Sequence, residues 1–388
     1  MRGKQRKQML DERYKVKYGA VLERLGTQRV LLPLSFGPSS LVLFDMIASL
    51  LQEQNLAHKG KQGFELVVLH LQEDEQAAEK FELLTKSYSP IEIKFKIVNA
   101  DDWKLSDKMK ISVSNEFDVI AQKLDSKSEI ALTVSHLLEL SPSRSLRADL
   151  LAIIYEDIIF RTAVAEGCQT ILFGHSMTRL ATEVISLTVK GRGLQISQEI
   201  ADGPRSYGDH SVHVIFPLRE VLFAEVDAVL KLREGLLQYM KISEEPQTRI
   251  VKNMTVQALT SQYFDNLDAT GYASTASTVV KTAEKLGGPK DPKTGICQIC
   301  GCDIHQDARK WLRNITVSEA APLVKDEQRK YAEAYELEFQ ADDVSGGGLI
   351  VCYGCTTTLA GAGSGFVWPV RASKDEILDE YVLTDDEE

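Results

Sequence analysis

Near the start of the chain an apolar run breaks on a cluster of small residues, and a second, longer apolar run follows at once. Val30-Leu-Leu-Pro-Leu34 leads into Ser35-Phe36-Gly37-Pro38-Ser39-Ser40, and Leu41 opens an apolar stretch reaching Leu51. The first run reads as a short buried strand, the cluster as a turn. The last stretch reads as a helix, with Ser39 or Ser40 suited to its N-cap. A strand, a small-residue turn and a helix N-terminus together form an anion cradle, because free backbone N–H groups and the positive end of the helix dipole face the ligand. An ordinary strand-to-helix turn reads the same way, and this stretch alone leaves both readings open.

The pattern continues along the chain. Phe64 to Leu71 reads as a second buried strand and Glu73 to Tyr88 as a helix. Ile91, Ile93, Phe95 and Ile97 alternate with polar residues, so Ile91 to Val98 reads as a third strand. Leu146 to Glu166 carries the apolar spacing of a long helix stopped by Gly167. Gln169 to Phe173 is a fourth strand, Leu180 to Val189 a helix, Val212 to Phe216 a fifth strand and Arg219 to Met240 a helix. Met9 to Leu25 reads as an amphipathic helix before the first strand, and Ala276 to Leu286 as a helix stopped by Gly287-Gly288. Between Ala100 and Ser145 the pattern is weak, with helical pieces at Phe117–Leu124 and Ser135–Leu140. Alternating strands and helices predict an α/β fold, a parallel five-stranded sheet with helices on both faces. Ligands of such sheets gather at the carboxyl ends of the strands, where both Ser35–Ser40 and Gly174–Glu183 fall.

Charge is unevenly spread. The net charge is −11, yet the first thirty residues hold nine Lys and Arg against three acids, while the last fifteen hold eight acids against one Lys. An acidic protein binds nucleic acid poorly through its overall charge, so any RNA contact needs a local basic patch or a partner. No run approaches the ~18 apolar residues of a membrane span, and the basic N-terminus lacks the apolar core of a secretory signal; the expected setting is the cytosol or nucleus.

Five of the six cysteines cluster late in the chain, as Cys297-Gln-Ile-Cys300, Cys302 and Cys352-Tyr-Gly-Cys355. Paired Cys-x-x-Cys spacing in such a chain points to metal rather than to disulfides. Two thiolates from each pair can grip one tetrahedral ion, so zinc is expected on Cys297, Cys300, Cys352 and Cys355, with Cys302 the alternate ligand should Cys297 not be used. The charged stretch between the pairs, Asp303 to Asp343, must loop out. Cys168 stands apart, at a helix-to-strand junction, and reads as a small buried apolar residue.

The loop at Ser35 resembles the PP-loop of ATP pyrophosphatases, Ser-Gly-Gly-x-Asp-Ser, in damaged form. Phe36 stands where backbone should approach a pyrophosphate, Pro38 removes a backbone donor and Ser39 replaces the Asp. Gly174-His175 with Glu183, followed by Gly191-Arg192-Gly193, resembles the second signature of the tRNA-modifying PP-loop enzymes. Thr178 and Arg179 stand where those enzymes carry acids. Leu140-Ser-Pro-Ser-Arg-Ser-Leu146 stands where related enzymes place a cysteine before the long helix. A core without cysteines there builds neither a thiolate nucleophile nor an iron–sulfur cluster. The set of landmarks from Val30 to Cys355, including Phe216-Pro-Leu-Arg-Glu220 and the Ser/Thr-rich run before the cysteines, resembles the cytoplasmic tRNA 2-thiolation protein 2 family. Many members carry further cysteine pairs upstream of the loop, for which this sequence has no counterpart.

The resemblance implies a basic N-terminal helix over 1–29, a degenerate PP-loop domain over 30–286, a zinc module over 287–370 and an acidic tail over 371–388. It implies a non-catalytic subunit of a tRNA 2-thiolation complex, paired with a related catalytic PP-loop thiolase subunit. That partner would hold ATP and adenylate the wobble uridine, and a ubiquitin-related carrier would bring sulfur. Ser35, Gly37, Ser39, Ser40, Gly174, His175 and Glu183 would then be a vestigial nucleotide site. Lys190, Arg192 and Arg205, with basic residues near the N-terminus, are the candidates for contact with tRNA. The alternatives are an enzyme that itself adenylates a substrate and a nucleotide-binding module unrelated to tRNA.

Overall fold

The structure, a computed structural model, describes residues 12–72, 76–103, 107–114, 119–123, 133–241, 254–308, 311–312, 324–344, 349–363 and 366–370. The strands run β1 (Gln28–Pro33), β2 (Phe64–Gln72), β3 (Ile93–Asn99), β4 (Asp107–Val113), β5 (Val119–Lys123), β6 (Thr170–Leu172), β7 (Gly203–Tyr207), β8 (His210–Ile215), β9 (Gly295–Ile296), β10 (Asp303–Ile304) and β11 (Phe366–Val370). They fall into two compact units: 1–103, 148–189 and 193–288 form the first; 104–147, 190–192 and 289–388 form the second.

The first unit is built on a six-stranded sheet in the order β3-β2-β1-β6-β8-β7. The five predicted strands are there and mutually parallel. The sixth, β7, pairs antiparallel with β8 at the edge and escapes the sequence pattern. Its segment, Gly-Pro-Arg-Ser-Tyr, begins with two breakers, and Pro is tolerated in a strand chiefly at such an edge. Successive residues of β1 serve opposite faces. Val30 and Leu32 join one core with the helix Pro38–Ala57 and Phe81, while Leu31 joins a second core with Ile171, Val214 and the helix Met177–Val189. Both faces of the central strands are therefore covered, which is why these strands read as unbroken apolar runs.

Order in the sheet reverses at β1. The chain moves outward through β2 and β3 on one side, then returns to β6 and β8 on the other. The loops after β1 and β6 thus lie side by side at the switch point, where open α/β sheets bind ligands.

Several element boundaries differ from expectation. The helix predicted over Met9–Leu25 shrinks, in its described part, to a turn at Glu12–Tyr14 and a helix at Gly19–Leu25 that buries nothing. Tyr14 instead sinks into the first core, 1% exposed, with its hydroxyl 3.0 Å from Thr170 Oγ1. The helix expected from Arg219 begins at Phe223, because Phe216 to Val221 turns back on itself through bonds to Phe216 and Leu218 carbonyls. Phe117–Leu124, read as helical, contains the strand β5.

The second unit holds the antiparallel sheet β11-β4-β5 and the two-residue ladder β9-β10. Residues 104–147, expected within the sheet domain, group here, since β4 pairs with β11. Trp368 of β11 is fully buried and stacks on Phe366. The helix Val134–Glu139, capped by Thr133, matches its sequence reading. The acidic stretch 371–388 and the first eleven residues lie outside the described residues. No described helix is long and apolar enough to cross a membrane.

Candidate nucleotide loop and metal centre

The helix after β1 starts earlier than the serines suggest. Gly37 is its N-cap and Pro38 its first residue, a position where the missing N–H of Pro costs nothing. Ser39 and Ser40 therefore lie inside the first turn rather than capping it. The loop is closed on itself: Ser35 Oγ is 3.2 Å from Ser40 Oγ, the Gly37 N–H donates to Ser35 Oγ at 3.4 Å, and Ser40 Oγ donates to the Gly37 carbonyl at 3.0 Å. The Phe36 carbonyl accepts from the Lys241 N–H.

Phe36 sits at φ +56°, the left-handed region proper to glycine. That backbone costs a bulky residue roughly 1–2 kcal/mol. Its ring is 3% exposed and meets His70 edge-on at 5.1 Å, and burying a Phe side chain contributes about 1.5–3 kcal/mol. Burial wins, so the ring stays in the first core despite the left-handed backbone. His70 is fixed in turn by its Nδ1 donating to the Leu34 carbonyl at 2.7 Å.

The second landmark meets the first. A Cβ on Gly174 would lie 3.2 Å from Ser40 Cα and 3.3 Å from Ser40 N, so only glycine fits against the helix start without displacing backbone. His175 stacks on Phe216 and tilts against Phe173, each at 5.4 Å, the two phenyl rings themselves 5.8 Å apart. Burial, aided by Arg179 and Arg205, lowers its pKa to about 3, so its imidazole is neutral near pH 7. The helix Met177–Val189 spends its first donors internally: Met177 N–H on the Val221 carbonyl at 2.7 Å, Arg179 N–H on Ser176 Oγ at 3.2 Å. Glu183 accepts from Gln257 at 3.0 Å and faces Arg179 at 3.6 Å. The structure thus brings Ser35, Gly37, Ser39, Ser40 and Gly174 together. Glu183 is engaged in packing between helices.

Arg205 is not a surface cation. Only 7% exposed, it donates to Glu156 at 3.3 Å, to Glu199 at 3.0 Å and to the Gln198 and Glu199 carbonyls at 2.9 Å each. It ties β7 to the helix Ile196–Ile200, so its donors are spent inside the fold rather than offered to the tRNA contact expected of it. Cys168, 5% exposed, packs among apolar residues of the second core as expected, and burial raises its thiol to about 11.

In the second unit the five late cysteines converge. The sulfurs of Cys297, Cys300, Cys302 and Cys352 lie within 4.8 Å of one another and could hold a metal ion. Cys297 and Cys300 sit on the turn between β9 and β10, tightened by the Gly301 N–H to the Cys297 carbonyl at 2.8 Å, with Gly301 at φ +75°. Cys352 caps the helix Tyr353–Ala360, and Cys355 lies in its first turn. The Cys352 N–H donates to Cys297 Sγ at 3.4 Å. Burial resists charge on Cys297, but hydrogen bonds from the four other thiols outweigh it and hold this thiol well below its usual range. Cys300 and Cys352 sulfurs are 3.8 Å apart. That is far beyond a disulfide, ~2.05 Å, and matches the ~3.8 Å edge of a tetrahedron with Zn–S bonds of ~2.3 Å. Cys302, two residues on from Cys300 across Gly301, enters the cluster, while Cys355, expected as a ligand, lies outside that group of four.

A family model described as cytoplasmic tRNA 2-thiolation protein 2 matches residues 255–357. Curated relatives carry the same description. That of Debaryomyces hansenii is 48% identical over 100% of this chain and 90% of its own length, and that of Scheffersomyces stipitis 47% identical over 100% and 91%. The Saccharomyces cerevisiae relative is 29% identical over 99% of this chain and 93% of its own. Among solved structures, a U34-tRNA thiolase, NcsA, from Methanococcus maripaludis aligns over 83% of this chain and 89% of its own, at 17% identity and a TM-score of 0.47. The full-length identity to the curated relatives decides the matter: the chain belongs to the cytoplasmic tRNA 2-thiolation protein 2 family.

Proposed function

We propose that this chain is the non-catalytic subunit of a tRNA 2-thiolation complex that forms 2-thiouridine at the wobble position. It acts as a heterodimer with a catalytic PP-loop thiolase subunit in the cytoplasm. The observation that carries the reading is Phe36, whose left-handed backbone and core-buried ring occupy the loop position at which a PP-loop carries glycine. The loop's serines bond to one another, and the helix after β6 uses its leading N–H groups internally. A triphosphate needs free donors and bare backbone there, so ATP is held by the partner.

On this reading the sheet unit is a degenerate PP-loop domain kept for its shape. The tRNA and a ubiquitin-related sulfur carrier engage the assembled pair, with Lys190 and the basic residues near the N-terminus offering phosphate contacts. The cysteine cluster holds structural zinc on Cys297, Cys300 and Cys352 with a fourth thiolate from Cys355 or Cys302. When bound, zinc would supply a crosslink among elements too small to form a core of their own.

Isothermal titration of the isolated chain with ATP and magnesium tests the loop. No binding at millimolar ligand is expected for the wild type. Phe36→Gly relieves the left-handed strain but loses the ring, so it is expected to lower stability by about 2–4 kcal/mol and still not to bind, since Ser39 offers no carboxylate. Tight binding by the wild type, weakened in Ser40→Ala, would instead favour a chain that adenylates a substrate itself.

A further inference from the structure

Arg192, expected in contact with tRNA, is half-buried and turned to the cysteines. Its Nη2 donates to Cys355 Sγ at 3.6 Å, and Cys355 is fully buried. The surroundings are shaped to this contact. A Cβ on Gly354 would stand 2.4 Å from Arg192 Cγ, and one on Gly191, at φ +70°, 2.7 Å from the Tyr353 ring. The Lys190 carbonyl accepts from Thr357 Oγ1 at 3.3 Å. Residues 190–192 are thus seated on the first turn of the helix that carries Cys352 and Cys355, and both glycines are sites where a side chain has no room. They belong to the same compact unit as the cysteines.

We propose that Arg192 is a positioning residue of the metal centre: it holds Cys355 as the fourth thiolate and offsets the charge of the site. Four thiolates around a divalent ion leave two net negative charges. Burying such a charge without a counter-charge is unfavourable. A guanidinium is the suited partner, since it stays cationic and donates from a rigid fork. Five sulfurs compete for four places, and Arg192 favours Cys355, leaving half-exposed Cys302 as the substitute. The inference rests on the metal reading above and not on the thiolation role.

The test uses the full chain, with zinc affinity from competition against a chromophoric chelator and cobalt(II) as a spectroscopic probe. Arg192→Gln is expected to weaken zinc binding about tenfold or more, the usual scale for groups supporting metal ligands, with Arg192→Lys intermediate. In a Cys355→Ser background, where Cys302 completes the four sulfurs, Arg192→Gln is expected to cost nothing further. The cobalt thiolate charge-transfer band should persist in Cys302→Ser and shift in Cys355→Ser. Two results overturn the proposal: affinity in Arg192→Gln within twofold of wild type, or an equal loss with and without Cys355. A wild-type chain that binds neither ion removes the metal reading itself, which is a separate failure.

Discussion

Replacing Cys297 with serine is expected to strip the protein of its metal and to unfold the segment that carries the cysteines. The residue has no exposure and is shared most widely within the cluster: its sulfur accepts the Cys352 N–H, its N–H donates to the Cys302 carbonyl and its carbonyl accepts the Gly301 N–H. Serine keeps the backbone bonds but offers a hydroxyl that does not ionise near neutral pH. Structural zinc contributes on the order of 10 kcal/mol to the folding of small metal-dependent elements, and the two-residue ladder that flanks Cys297 and Cys300 has few bonds of its own. Elemental analysis of protein purified without chelator should fall from about one zinc per chain to a small fraction of that. Proteolysis should open first near the cysteines. Full zinc content in Cys297→Ser would contradict the assignment.

Arg205→Ala is expected to be the most damaging single change in the sheet unit away from its apolar core. It leaves Glu156, Glu199 and two carbonyls facing a space where a guanidinium with 8% side-chain exposure had satisfied them. Removing one partner of such a buried ionic group costs about 3–5 kcal/mol. The lower end fits here, because Glu156 is itself 46% exposed and can hydrate. Arg205→Lys should recover only part, since one ammonium cannot reproduce the fork. Denaturant unfolding gives the energy, and tRNA binding by the folded variant gives the second reading. A lowered midpoint with an unchanged salt slope is expected; an unchanged midpoint with a reduced slope would place Arg205 at the RNA surface.

How far the sequence carried the reading depended on where each interaction came from. The central strands were legible because both their faces are buried, so composition alone marks Val30–Leu34 or Phe64–Leu71, whereas β3, at the edge, showed as the alternation of Ile93, Phe95 and Ile97 with polar residues. Strand β5 was read as helix since five residues of mixed polarity carry no period, and its sheet is completed by Phe366–Val370, far along the chain. Strand β7 hid behind Gly203 and Pro204. The cysteine pairs were plain from spacing, whereas the convergence of Cys302 required the turn geometry around Gly301. Arg205 and Arg192 were misplaced for one reason. A charged residue in a polar stretch looks solvated until the fold supplies partners, and theirs lie as far away as Glu156 and Cys355.

The loop after β1 shows the same division. Its departures from the PP-loop pattern it resembles, Phe36 and Ser39, were visible in Ser35–Ser40. That Phe36 turns inward, and that Gly174 closes on Ser40, needed the strand order β2-β1-β6 to bring the two loops together.

The most direct measurement is the 2-thiouridine content of bulk tRNA, by mass spectrometry, in cells lacking this gene and complemented with wild type or with a Ser35→Ala/Ser40→Ala variant. The account expects the modification to vanish on deletion and to return with both, because the loop serves shape and not chemistry. Unchanged 2-thiouridine after deletion, or a folded loop variant that fails to restore it, would contradict the account.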